Sequence, residues 1–414
     1  MEKYIEKLKK YGQEHILKIM KNFNDIEKAE LINQINEMDL ENINNLYNAI
    51  NKVNLNYGNV DIEPISALKK SKIDEKELEN INNSGKDIIC SGKFAVATMA
   101  GGQGTRLGYS NPKGTYKIDV NPKPKYLFEI VCDTLKRANK KYNVIIPWYI
   151  MTSIENNDII VDFFKDNNYF GYPEEEIMFF NQGQMPLIDE QGKLLVGENK
   201  LIKEASDGNG GIFKSMQVQG CLDDMEKRGI KWLFIGSIDN VLLKMVDPTL
   251  IGLAENKGVQ IATKSVLKNN PKERVGVICK KDGKVGVIEY SEIPDKLANA
   301  VDSDGELIYG ESHIMCNLFS IDILKTLAKV KLPYHKAHKK NSYINEKGEV
   351  VKPEEPNSYK FETFIFDSFN YVDNIAILRG SREVDFAPVK NKEGVDSPET
   401  AKKLYNEYWK NHNE

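Results

Sequence analysis

Apolar residues recur at three- and four-residue spacing from Lys3 to about Val53. Tyr4, Ile5, Leu8, Ile16, Ile19 and Met20 carry the pattern with Lys and Glu between them, which predicts amphipathic helices. Asn24 followed by Glu27 marks the start of a second helix, whose stripe includes Leu31, Ile32 and Ile35. A third runs through Leu40, Ile43, Leu46, Tyr47 and Ile50. The first 85 residues are therefore expected to form a helical domain, ending in a mixed connector from Tyr57 to Gly85. Beyond it short apolar runs alternate with helical stretches. Strands are predicted at 94–99, 143–151, 177–180, 231–240 and 375–378, and helices at 126–138, 157–164, 212–227 and 321–330. A helix-like run covers 360–369, and an Asp-Gly turn at Asp282-Gly283 joins a hairpin over 275–290. Ser397 then Pro398 reads as a cap and first helical residue of a final helix to about Lys410. Strands alternating with helices imply βαβ units and a parallel sheet, with ligands beyond the carboxyl ends of the strands. The expected divisions are a catalytic domain over 86–380 and a short C-terminal segment over 381–414.

The first strand runs straight into Ala-Gly-Gly-Gln-Gly-Thr-Arg-Leu-Gly, and Pro-Lys-Gly follows. Gly101, Gly102, Gly104 and Gly108 are bare enough to let backbone N–H groups crowd a phosphate chain or to take positive φ. Arg106 and Lys113 add two cations, as a polyphosphate site needs. A Walker A loop requires Gly-Lys-Ser/Thr, but here the lysine precedes its glycine. The dinucleotide fingerprint G-x-G-x-x-G fails by one residue, since Gly102, Gly104 and Gly108 give G-x-G-x-x-x-G. The third candidate, the sugar-nucleotide pyrophosphorylase loop, fits at every position.

Other polar features sit at predicted strand ends. Asp239 closes the 231–240 strand, where a carboxylate beside a phosphate loop is a natural Mg²⁺ ligand or else an Asx turn. A second glycine cluster, 205–211, is either a plain turn or a loop on which backbone meets a flat ring or sugar. Glu289 and Tyr290 end the hairpin with groups suited to sugar hydroxyls. His313 alone reads as a hydrogen-bonded structural residue. His335 and His338 have no partner at metal spacing, and the basic stretch 332–345 reads as a solvated turn.

Composition narrows the classes. The 414 residues are 41% hydrophobic, with interspersed charges and a net charge of −4, which disfavours nucleic acid or a membrane surface as main partner. Cys90, Cys132, Cys221, Cys279 and Cys316 are odd in number and widely spaced, as expected of reduced thiols in the cytoplasm. The N-terminus has no apolar run of signal-peptide length.

Taken together, the motifs resemble the UDP-N-acetylhexosamine pyrophosphorylases of the UDP-sugar pyrophosphorylase family. The resemblance runs from about Pro64 to Asn391. It includes the glycine loop with Pro-Lys-Gly, Phe-Phe-Asn-Gln-Gly, Asp-Gly-Asn-Gly-Gly, Asp-Asn-Val-Leu, Val-Ile-Glu-Tyr-Ser-Glu-Ile, Lys-Phe-Glu-Thr-Phe-Ile-Phe-Asp and Phe-Ala-Pro-Val-Lys-Asn. Gln103 matches the N-acetylhexosamine branch, where the UDP-glucose branch usually has Leu. The resemblance implies a Rossmann-like nucleotide-diphospho-sugar transferase fold, with a mixed, mainly parallel sheet and an N-terminal helical domain. It places Met99, Ala100, Gly101 and Gly102 along the uracil and ribose-phosphate, with Gln182 and Gly208 on the uracil. Arg106, Lys113 and Lys360 would hold the phosphates, and Asp239 would hold both nucleotide and Mg²⁺. Asn209, Glu289 and Tyr290 would grip the sugar, and Lys390 its phosphate. His313 stands where the family has Asn, in a segment that touches the sugar, and so joins the sugar set. The implied reaction joins UTP to N-acetylglucosamine- or N-acetylgalactosamine-1-phosphate, releasing pyrophosphate, with Arg106, Lys113 and Lys390 as the catalytic cations and a monomer as the expected form. Rivals are the same transfer to glucose- or galactose-1-phosphate, a silent UDP-sugar sensor, and, disfavoured by glycine spacing, a nicotinamide oxidoreductase.

Overall fold

The computed structural model describes residues 2–52 and 61–412; Val53 and Tyr57, named above for the end of the helical pattern and the start of the connector, lie outside them. Among the described residues no helix is long and apolar enough to cross a membrane. The chain divides into two compact units. The smaller takes the residues up to Lys52 with Gly183–Gly211 and Leu332–Ile365, and the larger takes Ile212–Lys331 with 61–182 and 366–412. This differs from boundaries at 85 and 380; two physical reasons for the first are given below.

The larger unit is built on a sheet that has eleven strands among the described residues. Eight form its main path: β1 (Leu68–Lys69), β2 (Phe94–Met99), β3 (Trp148–Thr152), β4 (Ile177–Asn181), β5 (Trp232–Ser237), β6 (Ile261–Leu267), β7 (Glu311–Ser320) and β8 (Ala376–Arg379). Their order is β1-β8-β6-β7-β5-β2-β3-β4. All pairings are parallel except those of β7, which runs antiparallel to both β5 and β6. Every residue of β2 and β3 is buried, as a strand covered on both faces requires. β3 begins at Trp148 rather than 143, because Pro147 has no N–H for the ladder. The hairpin Val277–Lys281 and Lys284–Ile288 joins β7 through Val277 opposite Ser312.

The helix Glu75–Cys90 belongs here, not with the N-terminal helices. It packs on the helix Pro248–Lys257 so closely that a Cβ on Gly252 would stand 1.8 Å from the Ile81 carbonyl oxygen, and one on Gly85 would stand 2.0 Å from that of Pro248. Only glycine at both positions allows the two backbones to meet. The predicted helix over 212–227 is two helices, Ile212–Val218 and Cys221–Lys227, parted at Gly220 with φ +79°.

In the smaller unit the helices Glu2–Lys10, His15–Ile19, Asp25–Glu37 and Leu40–Lys52 are all present. Asn24 caps the third with a full capping box to Glu27. Their apolar stripe does not close on itself. Leu8, Ile16, Leu31 and Ile35 share one core with Ile188, Ile202 and Phe361, and Gln34 pairs with both backbone groups of Ile202, at 3.0 and 2.7 Å. A helical segment lacking its own core has therefore recruited later stretches. Two of these depart from the sequence reading. The basic turn expected at 332–345 contains the strand His335–Lys339, and the helix-like run at 360 is instead the strand Ser358–Glu362 followed by a 3₁₀ segment Ile365–Tyr371. The two strands pair antiparallel, with Ala337 opposite Lys360. His335-Lys336-Ala337-His338-Lys339 has no apolar alternation of its own, so only pairing with the second strand reveals it.

Candidate active site

Parallel pairing of β2 and β5 sets the site, because Met99 lies opposite Ser237 and both strands end together. The Ile238 N–H donates to the Met99 carbonyl, at 3.2 Å. The chain leaving β2 is the glycine loop; the chain leaving β5 reaches Asp239 two residues later. The loop folds back on itself, with Gln103 bridged to Pro112 and the Lys113 N–H donating to the Gly102 carbonyl at 3.0 Å. This return brings the Lys113 ammonium to 3.6 Å from the Asp239 carboxylate. Both side chains retain about a sixth of their exposure, 16% and 17%, so the pair is reachable by a ligand.

The loop glycines do different work. A Cβ on Gly101 would come within 3.0 Å of the Gln182 Oε1 and 3.1 Å of the Ser153 N–H nitrogen, whereas one on Gly102 meets open space. Close approach to Gln182 therefore explains Gly101, and Gly102 offers bare backbone to whatever lies above it. Of the four, only Gly108 has positive φ, +70°. Arg106 is exposed on the turn Thr105–Leu107. Asn156, which the sequence reading missed, donates to the Gly101 carbonyl at 3.0 Å and also bonds Gln103. A single Asn in a loop carries no pattern that could have revealed it.

Lys390 reaches the same place by a separate route. The Val389 N–H donates to the Asp239 carbonyl at 2.8 Å, and Asn240 grips the segment before it, bonding the Asp385 carbonyl and the Ala387 N–H. The Lys390 ammonium lies 3.7 Å from Asp396. Glu289 lies beside Gly276, whose carbonyl accepts from the His313 N–H at 2.9 Å. Tyr290 is 44% exposed at the end of that hairpin. Met99 to Gly102, Lys113, Gln182, Asp239 and Lys390 are thus drawn together, and Glu289 with His313 forms a neighbouring group on the hairpin side of β7.

Gly208, Asn209 and Lys360 belong to the smaller unit, where they also converge. Gly208 needs its φ of +89°, and a Cβ there would stand 2.2 Å from the Thr363 carbonyl oxygen. The Thr363 N–H donates to the Asp207 carbonyl, the Gly210 N–H to Thr363, and the Ile365 N–H to the Asn209 side chain, at 2.7, 2.9 and 2.7 Å. Lys360 holds Glu362 at 2.8 Å and Ser206 at 3.3 Å. The second glycine cluster is therefore clamped to the 360s rather than standing as a plain turn.

His313 is buried, with Nε2 3.0 Å from the Asn317 Oδ1 and its ring edge-on to Phe366 and Phe369. Burial pushes its pKa down to about 4, against a weaker opposing pull from Asn317. The folded state therefore resists the protonation that the unfolded chain accepts near pH 6.5. His313 should contribute stability above that pH and lose it as pH falls toward 4, a change of roughly 3 kcal/mol. Urea unfolding at pH 7 and pH 4.5, compared with His313→Gln, checks this: wild type should lose more stability than the variant, and equal losses would remove His313 as the cause.

Among the described residues no three His, Cys, Asp or Glu side chains form a metal-binding group. A lone strand-tip carboxylate still suits Mg²⁺, which keeps waters and takes phosphate oxygens alongside one or two carboxylates. The arrangement as a whole sets the Lys113–Asp239 pair beside a loop of bare backbone.

The family described as UTP–glucose-1-phosphate uridylyltransferase matches residues 40–396. The UDP-N-acetylglucosamine pyrophosphorylase of Saccharomyces cerevisiae is 41% identical over 333 residues, 78% of this chain and 70% of the yeast protein. A Trypanosoma brucei uridine diphosphate N-acetylglucosamine pyrophosphorylase structure superposes with TM-score 0.83 at 30% identity, covering 97% of this chain and 83% of that one. A UDP-glucose phosphorylase from the same organism reaches TM-score 0.64 at 15% identity, over 91% and 76% of the two chains, a likeness of fold.

Proposed function

The chain belongs to the UTP–glucose-1-phosphate uridylyltransferase family, and on that premise we propose that it makes UDP-N-acetylglucosamine from UTP and N-acetylglucosamine-1-phosphate. The choice of the amino sugar is supported by relatives of that name at 34–41% identity, while a likeness at 15% to a glucose-named enzyme speaks only to fold. The observation that carries the chemistry is the Lys113–Asp239 pair at the joined ends of two parallel strands, facing a loop of bare backbone.

In this reading a sugar-phosphate oxygen attacks the α-phosphorus of UTP in line. The bond to the β-phosphate bridging oxygen breaks, and pyrophosphate departs with the electron pair. A phosphate dianion is already nucleophilic, so the protein's work is to position the reactants and neutralise charge. Lys113 and Arg106 meet the triphosphate, and Lys390 steadies the incoming phosphate. Gln182 bonds the uracil edge, while Glu289 and Tyr290 receive sugar hydroxyls. Gly208, Asn209 and Lys360 form a further contact set within their own unit. Mg²⁺, held by Asp239, would supply charge neutralisation at the phosphates.

Pyrophosphate release measured with UTP and a panel of N-acetylglucosamine-, N-acetylgalactosamine-, glucose- and galactose-1-phosphate tests the proposal. The highest kcat/KM is expected with N-acetylglucosamine-1-phosphate, with turnover abolished when EDTA replaces Mg²⁺. Preference for glucose-1-phosphate would overturn the amino-sugar reading, and full turnover in EDTA would remove the metal.

A further inference from the structure

The larger unit contains a second cleft, of about 680 Å³, at the carboxyl ends of β1, β6 and β8. No residue of the glycine loop lines it, nor do Asp239, Glu289 or Lys390. Seven cationic side chains face four carboxylates there. Most of these charges cancel locally. Lys69 and Arg379 share Glu306, at 2.7 and 2.9 Å, and Arg382 turns to Glu273. Lys264 lies between Asp247 and Asp385, at 2.5 and 2.9 Å.

Three lysines are left over. No carboxylate among the described residues lies within 4.0 Å of Lys70, Lys244 or Lys268; the remaining lining acid, Glu383, is exposed at the rim. Lys268 is only 5% exposed and donates to a single acceptor, the Pro271 carbonyl at 3.0 Å. Lys244 is half-buried, its ammonium 5.1 Å from the centre of the Tyr408 ring. Burial lowers the pKa of both, outweighing the more distant pull of Asp385 and Asp247 on Lys244 and of Glu273 on Lys268, as expected of cations with no carboxylate in direct contact. An ammonium drawn from water with no carboxylate in direct contact is costly, and two of them beside the exposed Lys70 around one cavity are best explained by an anionic occupant.

We propose that this cleft binds a phosphate-class anion carrying at least two negative charges, through Lys70, Lys244 and Lys268. Lysine suits the task as a compact point charge with three donors. The volume exceeds what one inorganic anion needs, so a phosphorylated metabolite is as compatible with the chemistry as free pyrophosphate.

The test is calorimetric titration of inorganic pyrophosphate, in EDTA, into Lys113→Ala protein, where the glycine-loop site is weakened, and into the same protein carrying Lys244→Met and Lys268→Met. The first is expected to bind one pyrophosphate, and the second to bind at least tenfold more weakly. Lys244→Arg with Lys268→Arg should restore binding, which a purely structural role for the lysines would not require. No binding to Lys113→Ala protein, or equal binding after the methionine changes, overturns the proposal. If the methionine pair does not fold, exposed Lys70→Ala decides: weaker binding supports the site and unchanged affinity overturns it. A parallel titration with glucose-1-phosphate separates the sources, tighter binding than pyrophosphate marking a phosphorylated metabolite and weaker binding the free anion.

Discussion

Lys113→Ala is expected to lower kcat/KM for pyrophosphate release by roughly 10²–10³-fold, the range seen when one preorganised transition-state contact is removed. The lysine is brought to Asp239 by a backbone bond from its own N–H to Gly102 and by the Gln103–Pro112 bridge, so its position does not depend on the ammonium. Truncation should therefore leave the loop intact. Nor should stability change much, because a pair with both partners about one-sixth exposed is partly screened and contributes about 1 kcal/mol or less. Large loss of rate with small loss of stability is the signature sought. Steady-state kinetics alongside a thermal melt would measure both, and turnover within threefold of wild type would take Lys113 out of the reaction.

Lys264→Met should have the largest effect on stability, about 3–5 kcal/mol by urea denaturation at pH 7. Lys264 is 2% exposed and holds two carboxylates at once. Burial alone would lower its pKa, but Asp247 and Asp385 outweigh that and raise it. Burial likewise opposes the charge on Asp247, yet Lys264 prevails and holds its carboxyl at about 2. In wild type that carboxylate contributes stability above the unfolded value near 3.8, lost only as pH falls through about 2. Without the lysine, buried Asp247 loses the main cation that holds its carboxyl low and takes up a proton at higher pH. The variant's deficit is thus expected to shrink as pH falls from 7 toward 4. A deficit under about 1 kcal/mol, or one constant with pH, would refute this account of the triad.

The nucleotide end of the site was legible because glycine loops leave a strong local imprint. Gly101 to Lys113 fall within thirteen residues, and their spacing rejects two rival loops before any fold is known. Asp239 was legible as an acid at the tip of a predicted strand. What escaped depends on pairing across long separations. Asn156 and Asn240 act through bonds to backbone 55 to 147 residues away, and no local pattern records such a partner. The strand Ser358–Glu362 overlaps the run from Lys360 that read as helix-like, and only its pairing with His335–Lys339 decides. The N-terminal helices were seen, and even the capping box at Asn24, but their destination was not. Their apolar faces are completed by Ile188, Ile202 and Phe361, which lie in segments that look unremarkable alone.

One reversed strand carries a consequence for how the protein tolerates change. β7 alone among these eight strands runs against its neighbours β5 and β6, so its beginning, Glu311, lies opposite the tip of β6 and its middle, Cys316, opposite that of β5. Glu311, Ser312 and His313 occupy that rim, while Leu318 and Phe319 are buried opposite the starts of the flanking strands. Sensitivity to mutation should therefore run in opposite directions along adjacent strands: turnover falls with changes late in β5 but early in β7, and the other half of each answers to packing alone.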